Sequence, residues 1–341
     1  MRALVKHPDE HGLRLEDVPI PVPGPDDVLI RVHTTGICGT DLHIYRWDPW
    51  AQRTIPAPMT IGHEFAGHIA ALGSNVSGFV EGELVSAEGH VVCGCCRNCL
   101  AGKRRRCRAP RGLGVNFPGA FADYVLIPKS NVWRHTGRVD PEIAALFDPF
   151  GNAVHTALKF PMVGEDVLIT GAGPIGLMAT AVARHAGARK IVVTDLNPLR
   201  LQLALRMGAT RVVDVRSEKL SDVKADLGMR EGFDVALEFS GSPKALEQIL
   251  AHTIHGANIA ILGLPSEPFA IDWSVVVVNM LNLKGIYGRE IFETWYKMGV
   301  LIEAGIDISP IITHRFSADR YRDAFASLEE AGAAKAMMTW T

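Results

Sequence analysis

The sequence predicts a two-domain α/β protein, a β-rich domain interrupted in sequence by a doubly wound parallel sheet. Three observations predict it. The chain has 341 residues, and a single core rarely grows beyond roughly 250–300 residues before a protein divides. Its composition, 48% hydrophobic and 21% charged, is that of an ordinary globular chain and excludes disordered, collagen-like and coiled-coil classes. The texture also changes along the chain. Up to about residue 147 it is dense in Pro, Gly and short β-rich runs, and from Glu165 onward apolar strands alternate with amphipathic helices, as a parallel sheet demands.

In the first region, 28–32 and 122–127 read as strands bounded by turn residues. In the second, strands are expected at 166–170, 190–194, 211–214, 233–238 and 258–262, with an Ala-rich buried helix over 175–186. The run Val275-Val276-Val277-Val278 reads as a buried strand or helix end, and the segment ending at Trp340 as a terminal strand. A formal net charge of -2 supplies no global field toward nucleic acid or anionic membrane. No apolar run approaches the ~18 residues a membrane span needs, and the N-terminus has no signal-peptide pattern. The expectation is a cytoplasmic protein with neither membrane nor nucleic-acid partner.

Gly171-Ala172-Gly173-Pro174-Ile175-Gly176 follows an expected strand and opens an expected helix. In that setting Gly171 permits a tight turn, Gly173 lets backbone approach a pyrophosphate, and Gly176 lets helix and sheet pack closely. The next strand ends at Asp195, where a carboxylate can bond both ribose hydroxyls and repel a 2′-phosphate. NAD is therefore expected over NADP, with Arg200 packing over the adenine.

Five of the six cysteines lie between Cys93 and Cys107, which favours metal over disulfides. Cys93, Cys96, Cys99 and Cys107 can close a tetrahedral shell around Zn²⁺ with no open position, a structural site. Spacing makes Cys95 the spectator, although a shifted ligand set that uses it stays open. Lys103, Arg104, Arg105, Arg106 and Arg108 crowd the last cysteine. Without an aromatic for base stacking, they read as a solvated run that compensates the charge of the thiolates. A second donor set is dispersed over 36–43 and 62–67, where Cys38, His63 and Glu64 offer a thiolate, an imidazole and a carboxylate. Three such donors leave a fourth position for substrate.

Together, Cys38-x-Thr40-x-x-His43, Gly62-His63-Glu64, the four-cysteine loop and the glycine fingerprint resemble, over the whole chain, the zinc-dependent medium-chain dehydrogenases. The resemblance implies a GroES-like catalytic domain over 1–147 with both zinc sites, a Rossmann NAD-binding domain over 148–290, and a return to the catalytic domain over 291–341. It assigns Cys38, His63 and Glu64 to a catalytic zinc and places Asp148 close to that metal, as a ligand or, the favoured reading, acting from beside it. Segments 43–48, 147–157, 285–298 and 309–316 are most similar to the branch that oxidises L-threonine at C3 to 2-amino-3-oxobutanoate, the first step of its degradation to glycine. Two departures, Gly82-Glu83-Leu84-Val85 and Lys335-Ala336-Met337, change packing rather than chemistry.

On this reading Thr40 takes the substrate's hydroxyl proton and His43 passes it to solvent. Ile175, Leu262, Gly263 and Leu264 are expected along the cofactor, at the carboxyl ends of strands, and the resemblance alone adds Ile286 and Tyr287 at the nicotinamide half. Arg46, Arg53 and Asn152 are suspects for the substrate's charged groups. A homotetramer is implied, and functional coupling to an enzyme that cleaves 2-amino-3-oxobutanoate is expected because that product is an unstable β-keto acid. Two other readings share these residues. One is a zinc polyol or 2,3-butanediol dehydrogenase, which needs no carboxylate or ammonium site. The other is an NAD- and zinc-binding sensor without turnover, against which Thr40 and His43 argue.

Overall fold

The computed structural model describes residues 1–8, 10–137, 139–330 and 332–340. The chain divides into two compact units. The first comprises Met1–Asp148, Glu290–Trp295 and Ile312–Thr341, and the second Pro149–Arg289 and Tyr296–Ile311.

The first unit is built on a seven-stranded sheet. Its long central strand, Asp27–Gly36, pairs antiparallel with Glu64–Leu72, with Tyr124–Pro128 and with Lys335–Thr339. Val28, Leu29, Ile30 and Val32 are buried, as are Thr34, Thr35 and Gly36, and only Arg31 is exposed, so this central strand is covered along most of its length. The last strand, Lys335–Thr339, lies parallel to Ile312–Ser317, so the C-terminal residues complete a sheet begun by the N-terminal ones. Phe65, Phe121 and Phe325 fill the core beneath it.

The second unit is a six-stranded, wholly parallel sheet in the order Arg211–Asp214, Lys190–Asp195, Asp166–Thr170, Phe233–Glu238, Thr253–Ile261, Asn282–Gly285. Numbered in sequence this is 3-2-1-4-5-6, the doubly wound order in which ligands sit at the carboxyl ends of the strands. Asp166–Thr170 is buried along its whole length, as expected for a strand covered on both faces. The helix Pro174–His185 buries Leu177, Met178, Ala179, Val182 and Ala183.

Three features differ from the sequence reading. The sixth strand, Asn282–Gly285, went unread because an edge strand carrying Asn282 and Lys284 has no apolar run to announce it. The valine run, read as a buried strand or helix end, ends the helix Trp273–Val278 but is only half covered: Val275 and Val276 pack against the core of the second unit, whereas Val277 and Val278 are 73% and 70% exposed. The C-terminal return, expected as one piece over 291–341, is split, with Tyr296–Ile311 in the second unit. Aromatic packing explains the split. The Trp295 indole donates to Glu88 Oε2 at 2.9 Å and lies against Trp133 and Phe147, while Phe292 stacks on Trp133. That cluster ties Glu290–Trp295 to the first unit.

Candidate metal centres and dinucleotide crevice

Cys38 is the N-cap of the helix Gly39–Arg46. The Asp41 carboxylate turns back to accept the Cys38 backbone N–H at 2.8 Å, a capping box that fixes the thiol at the head of the helix. Thr40 and His43 stand three residues apart and so share one helix face, whereas Asp41 and Ile44 are buried on the other. The Thr40 hydroxyl lies 3.9 Å from Cys38 Sγ.

His63 and Glu64 enter where the strand Glu64–Leu72 begins, after Gly62 at φ +93. A Cβ on Gly62 would stand 2.1 Å from Phe121, and one on Gly36 would stand 2.3 Å from Glu64 Oε2. The Phe121 ring and the Glu64 carboxylate thus occupy the space that side chains at Gly62 and Gly36 would need. The pairing Gly36↔Glu64 then brings the dispersed donors together. Ligand atoms of Cys38, His63 and Glu64 all lie within 4.8 Å of one another, a group that does not include Asp148.

The surroundings fit a cation. His63 Nδ1 and Asp41 Oδ1 face each other at 3.6 Å, both buried and neither hydrogen-bonded. A metal-bound histidine is usually steered by such a carboxylate on its other ring nitrogen. Burial pushes the Asp41 carboxyl up to about 6 despite His63 and the Cys38 N–H. Burial also pushes the His63 imidazole down, but Asp41, Cys38 and Asp148 outweigh it and hold its pKa well above the usual value. The negative charge around His63 favours a cation at this position. Glu64 is gripped by the buried Lys335, whose Nζ donates to its two oxygens at 2.6 and 2.9 Å and to the Ile37 carbonyl at 2.9 Å. A carboxylate has about four lone-pair sites, so Glu64 can serve a metal while Lys335 holds its far side.

In the cysteine loop, Cys93, Cys96, Cys99 and Cys107 form the second such cluster, and Cys95 is exposed outside it. Tetrahedral zinc with Zn–S near 2.3 Å sets its sulfurs about 3.8 Å apart. The observed separations are 3.5 Å for Cys96–Cys99, 3.5 Å for Cys93–Cys107 and 4.0 Å for Cys93–Cys99, close to that value. Backbone N–H groups of Arg108 and Cys99 pull the Cys96 thiol down to about 6, toward the thiolate a metal takes. The basic run beside it is not uniformly solvated. Arg105 is only 8% exposed, and Arg104 reaches the Ser130 carbonyl and the Phe292 ring.

The second unit shows why its fingerprint carries three glycines. Gly171 adopts φ +91, which disfavours any side chain. A Cβ on Gly176 would stand 2.0 Å from the Gly171 carbonyl oxygen, whereas one on Gly173 would meet nothing within 4 Å. Gly173 thus faces open space at the N-terminus of Pro174–His185, where an anion is favoured, with Ile175 one turn-step on. Asp195 ends its strand with both oxygens fixed: Oδ2 accepts Ala172 N–H at 2.7 Å, and Oδ1 accepts Leu196 and Asn197 N–H at 2.7 and 2.8 Å. Arg200 follows on the helix Pro198–Arg206, its Nε buried without a partner, an orphan donor that a bound nucleotide could satisfy. Leu262, Gly263 and Leu264 leave the end of Thr253–Ile261, Leu264 83% exposed, and Ile286 and Tyr287 leave the end of Asn282–Gly285.

Four residues that organise these sites escaped the sequence reading. Asp41 and Lys335 are set against the metal donors by folding, and nothing in their neighbours announces it. Glu238 ends its strand 2% exposed, and its carboxylate accepts Ser240 and Gly241 N–H and the Thr170 hydroxyl, shaping the loop beside Gly171. Asp48, bonded to His43, is taken up below. Of the suspects for substrate binding, Arg46 is engaged by Glu329 at 2.8 Å, Asn152 Oδ1 accepts from Arg289 at 3.4 Å, and Arg53 is exposed.

Residues 24–136 match the model of the alcohol dehydrogenase GroES-like domain, and residues 174–304 that of the zinc-binding dehydrogenases. An L-threonine 3-dehydrogenase of Solibacter usitatus is 58% identical over 340 residues, covering 100% of both chains. That of Saccharopolyspora erythraea is 58% identical over 341 residues, covering 100% of this chain and 99% of its own. Among solved structures, an alcohol dehydrogenase from E. coli complexed with NADH is similar at TM-score 0.91 and 27% identity, over 100% of this chain and 99% of that one. The 2R,3R-butanediol dehydrogenase of Bacillus subtilis is similar at TM-score 0.89 and 26% identity, with the same coverage.

Proposed function

The chain belongs to the zinc-dependent medium-chain dehydrogenase family, and on that premise we propose that it oxidises the C3 hydroxyl of L-threonine to 2-amino-3-oxobutanoate, with NAD as acceptor. Full-length identity of 54–58% to curated L-threonine 3-dehydrogenases supports that substrate over a diol, since the butanediol dehydrogenase is only 26% identical. The observation that carries the chemistry is the convergence of Cys38, His63 and Glu64 within 4.8 Å, at the head of the helix that bears Thr40 and His43.

The reaction removes one proton and one hydride from a secondary alcohol. When bound, zinc supplies a Lewis acid that lowers the hydroxyl pKa, and NAD supplies the hydride acceptor. Cys38, His63 and Glu64 hold the catalytic metal, steered by Asp41 and Lys335, while Asp148 biases the field at His63. Thr40 takes the hydroxyl proton and His43, 58% exposed, delivers it to solvent. Such a relay is worth ~10²–10⁴-fold in rate. In the second unit Gly171, Gly173, Ile175 and Gly176 admit the pyrophosphate, and Asp195 and Arg200 frame the adenosine ribose. Leu262, Gly263, Leu264, Ile286 and Tyr287 line the rest of the cofactor. Cys93, Cys96, Cys99 and Cys107 hold the structural zinc. A homotetramer, a cytoplasmic location, where thiolate centres stay reduced, and coupling to an enzyme that cleaves the β-keto product complete the reading.

The experiment is NADH formation on L-threonine beside D-threonine, sorbitol and 2,3-butanediol. Turnover confined to the diols would keep the mechanism and remove the threonine assignment. NAD binding without turnover on any of them would favour the sensor.

A further inference from the structure

We infer that Asp48 is a positioning residue for the proton relay, fixing the tautomer of His43 so that Nε2 is the nitrogen that accepts the proton. The inference rests on the relay reading given above. His43 Nδ1 and Asp48 Oδ2 are 2.5 Å apart. An ionised carboxylate only accepts hydrogen bonds, so Nδ1 carries the hydrogen it donates and Nε2 keeps the lone pair.

The carboxylate cannot swing away freely. Asp48 is the N-cap of the helix Pro49–Thr54, and its Oδ1 accepts Ala51 N–H at 2.9 Å. Pro49 opens that helix and Trp47, at φ 55, closes the preceding one, so the backbone on both sides of Asp48 is set by helix ends. Partial burial raises the Asp48 carboxyl, but the Ala51 N–H and the His43 imidazole outweigh it and leave it below the usual range. It is therefore ionised wherever the relay operates.

The surroundings of His43 leave Asp48 as its counter-charge. Asp41, on the same helix, is buried on the opposite face, and Arg46 is paired with Glu329. The second helix offers Arg53, of like sign to an imidazolium, and the Trp50 ring lies edge-on to His43 at 6.0 Å. A His–Asp pair of this kind holds an imidazole in one tautomer and stabilises the imidazolium as it forms.

Asp48 as a helix cap alone makes different predictions, and Asp48→Asn separates the two roles because Asn caps a helix about as well as Asp. In ¹⁵N-histidine-labelled enzyme without cofactor or substrate, His43, assigned by its loss in His43→Gln, should be the Nδ1–H tautomer, and Asp48→Asn should shift it toward Nε2–H. Turnover of L-threonine in Asp48→Asn should fall by about 10-fold or more. Zinc content and thermal midpoint should stay unchanged. In a His43→Gln background the same substitution should cost less than about twofold, because a residue acting through another is non-additive with it. An unchanged tautomer in Asp48→Asn, or a full additional loss in the His43→Gln background, would overturn the inference while leaving the relay intact. Full activity in His43→Gln would overturn both.

Discussion

At the scale of single residues, the site combines groups the sequence announces with groups only folding can place. That Thr40 and His43 share one helix face is legible in their offsets from Cys38, and their role in a relay is the proposal that substitution tests. Thr40→Val and His43→Gln should each lower kcat on L-threonine by ~10²–10⁴-fold and leave the zinc content of the protein unchanged; a proportional loss of zinc would make them structural supports of the metal instead. Asp41, Lys335 and Asp48 were not legible, since a lone acid or lysine has the same local appearance whether it meets solvent or a metal donor 271 residues away, as Lys335 meets Glu64. His135 makes a prediction of another kind. It is 9% exposed, bonded to Ser86 and packed edge-on against Phe147, and burial lowers its pKa from 6.5 to about 4. A histidine depressed on folding contributes full stability above 6.5 and loses it as pH falls toward 4, here roughly 3 kcal/mol. Urea unfolding of wild type and His135→Gln across that window should converge by that amount, whereas parallel curves would show that His135 titrates normally.

At the scale of elements, the glycine fingerprint and the cysteine loop were readable because backbone clearance and metal geometry both impose fixed spacings. The three glycines nevertheless do separable work. Gly176→Ala forces a Cβ to 2.0 Å from the Gly171 carbonyl oxygen and should cost about 1–3 kcal/mol of stability. Gly173→Ala meets no atom of the protein within 4 Å, so its unfolding midpoint should hold while the KM for NAD rises. Equal destabilisation by both would mean that Gly173 faces protein rather than cofactor. In the loop, Cys96→Ser should lose one of the two zincs and lower the thermal midpoint, and Cys95→Ser should change neither; zinc loss on Cys95→Ser would bring the shifted ligand set forward. What resisted reading were elements without a periodic apolar signal. The edge strand Asn282–Gly285 is one, and the exposure of Val277 and Val278 at the end of the helix Trp273–Val278 is the other.

At the scale of the whole molecule, one unit holds a cluster of metal donors and the other a doubly wound sheet with a dinucleotide fingerprint. The alternation of strands and helices after Glu165 made the second unit legible. The first was legible mainly through its cysteines, because short antiparallel strands rich in turns carry a weak period. The division of the C-terminal segment could not be read at all, since it depends on Trp295 meeting Glu88 across 207 residues. The central claim is zinc-dependent oxidation of L-threonine by NAD, and one measurement tests it most directly: NADH formation from L-threonine before and after treatment with a zinc chelator, with zinc then restored. The expected result is turnover on L-threonine but not D-threonine, lost on chelation and recovered with zinc. Turnover that persists in enzyme shown to be free of zinc, or a complete absence of turnover on L-threonine by the zinc-loaded enzyme, would contradict it.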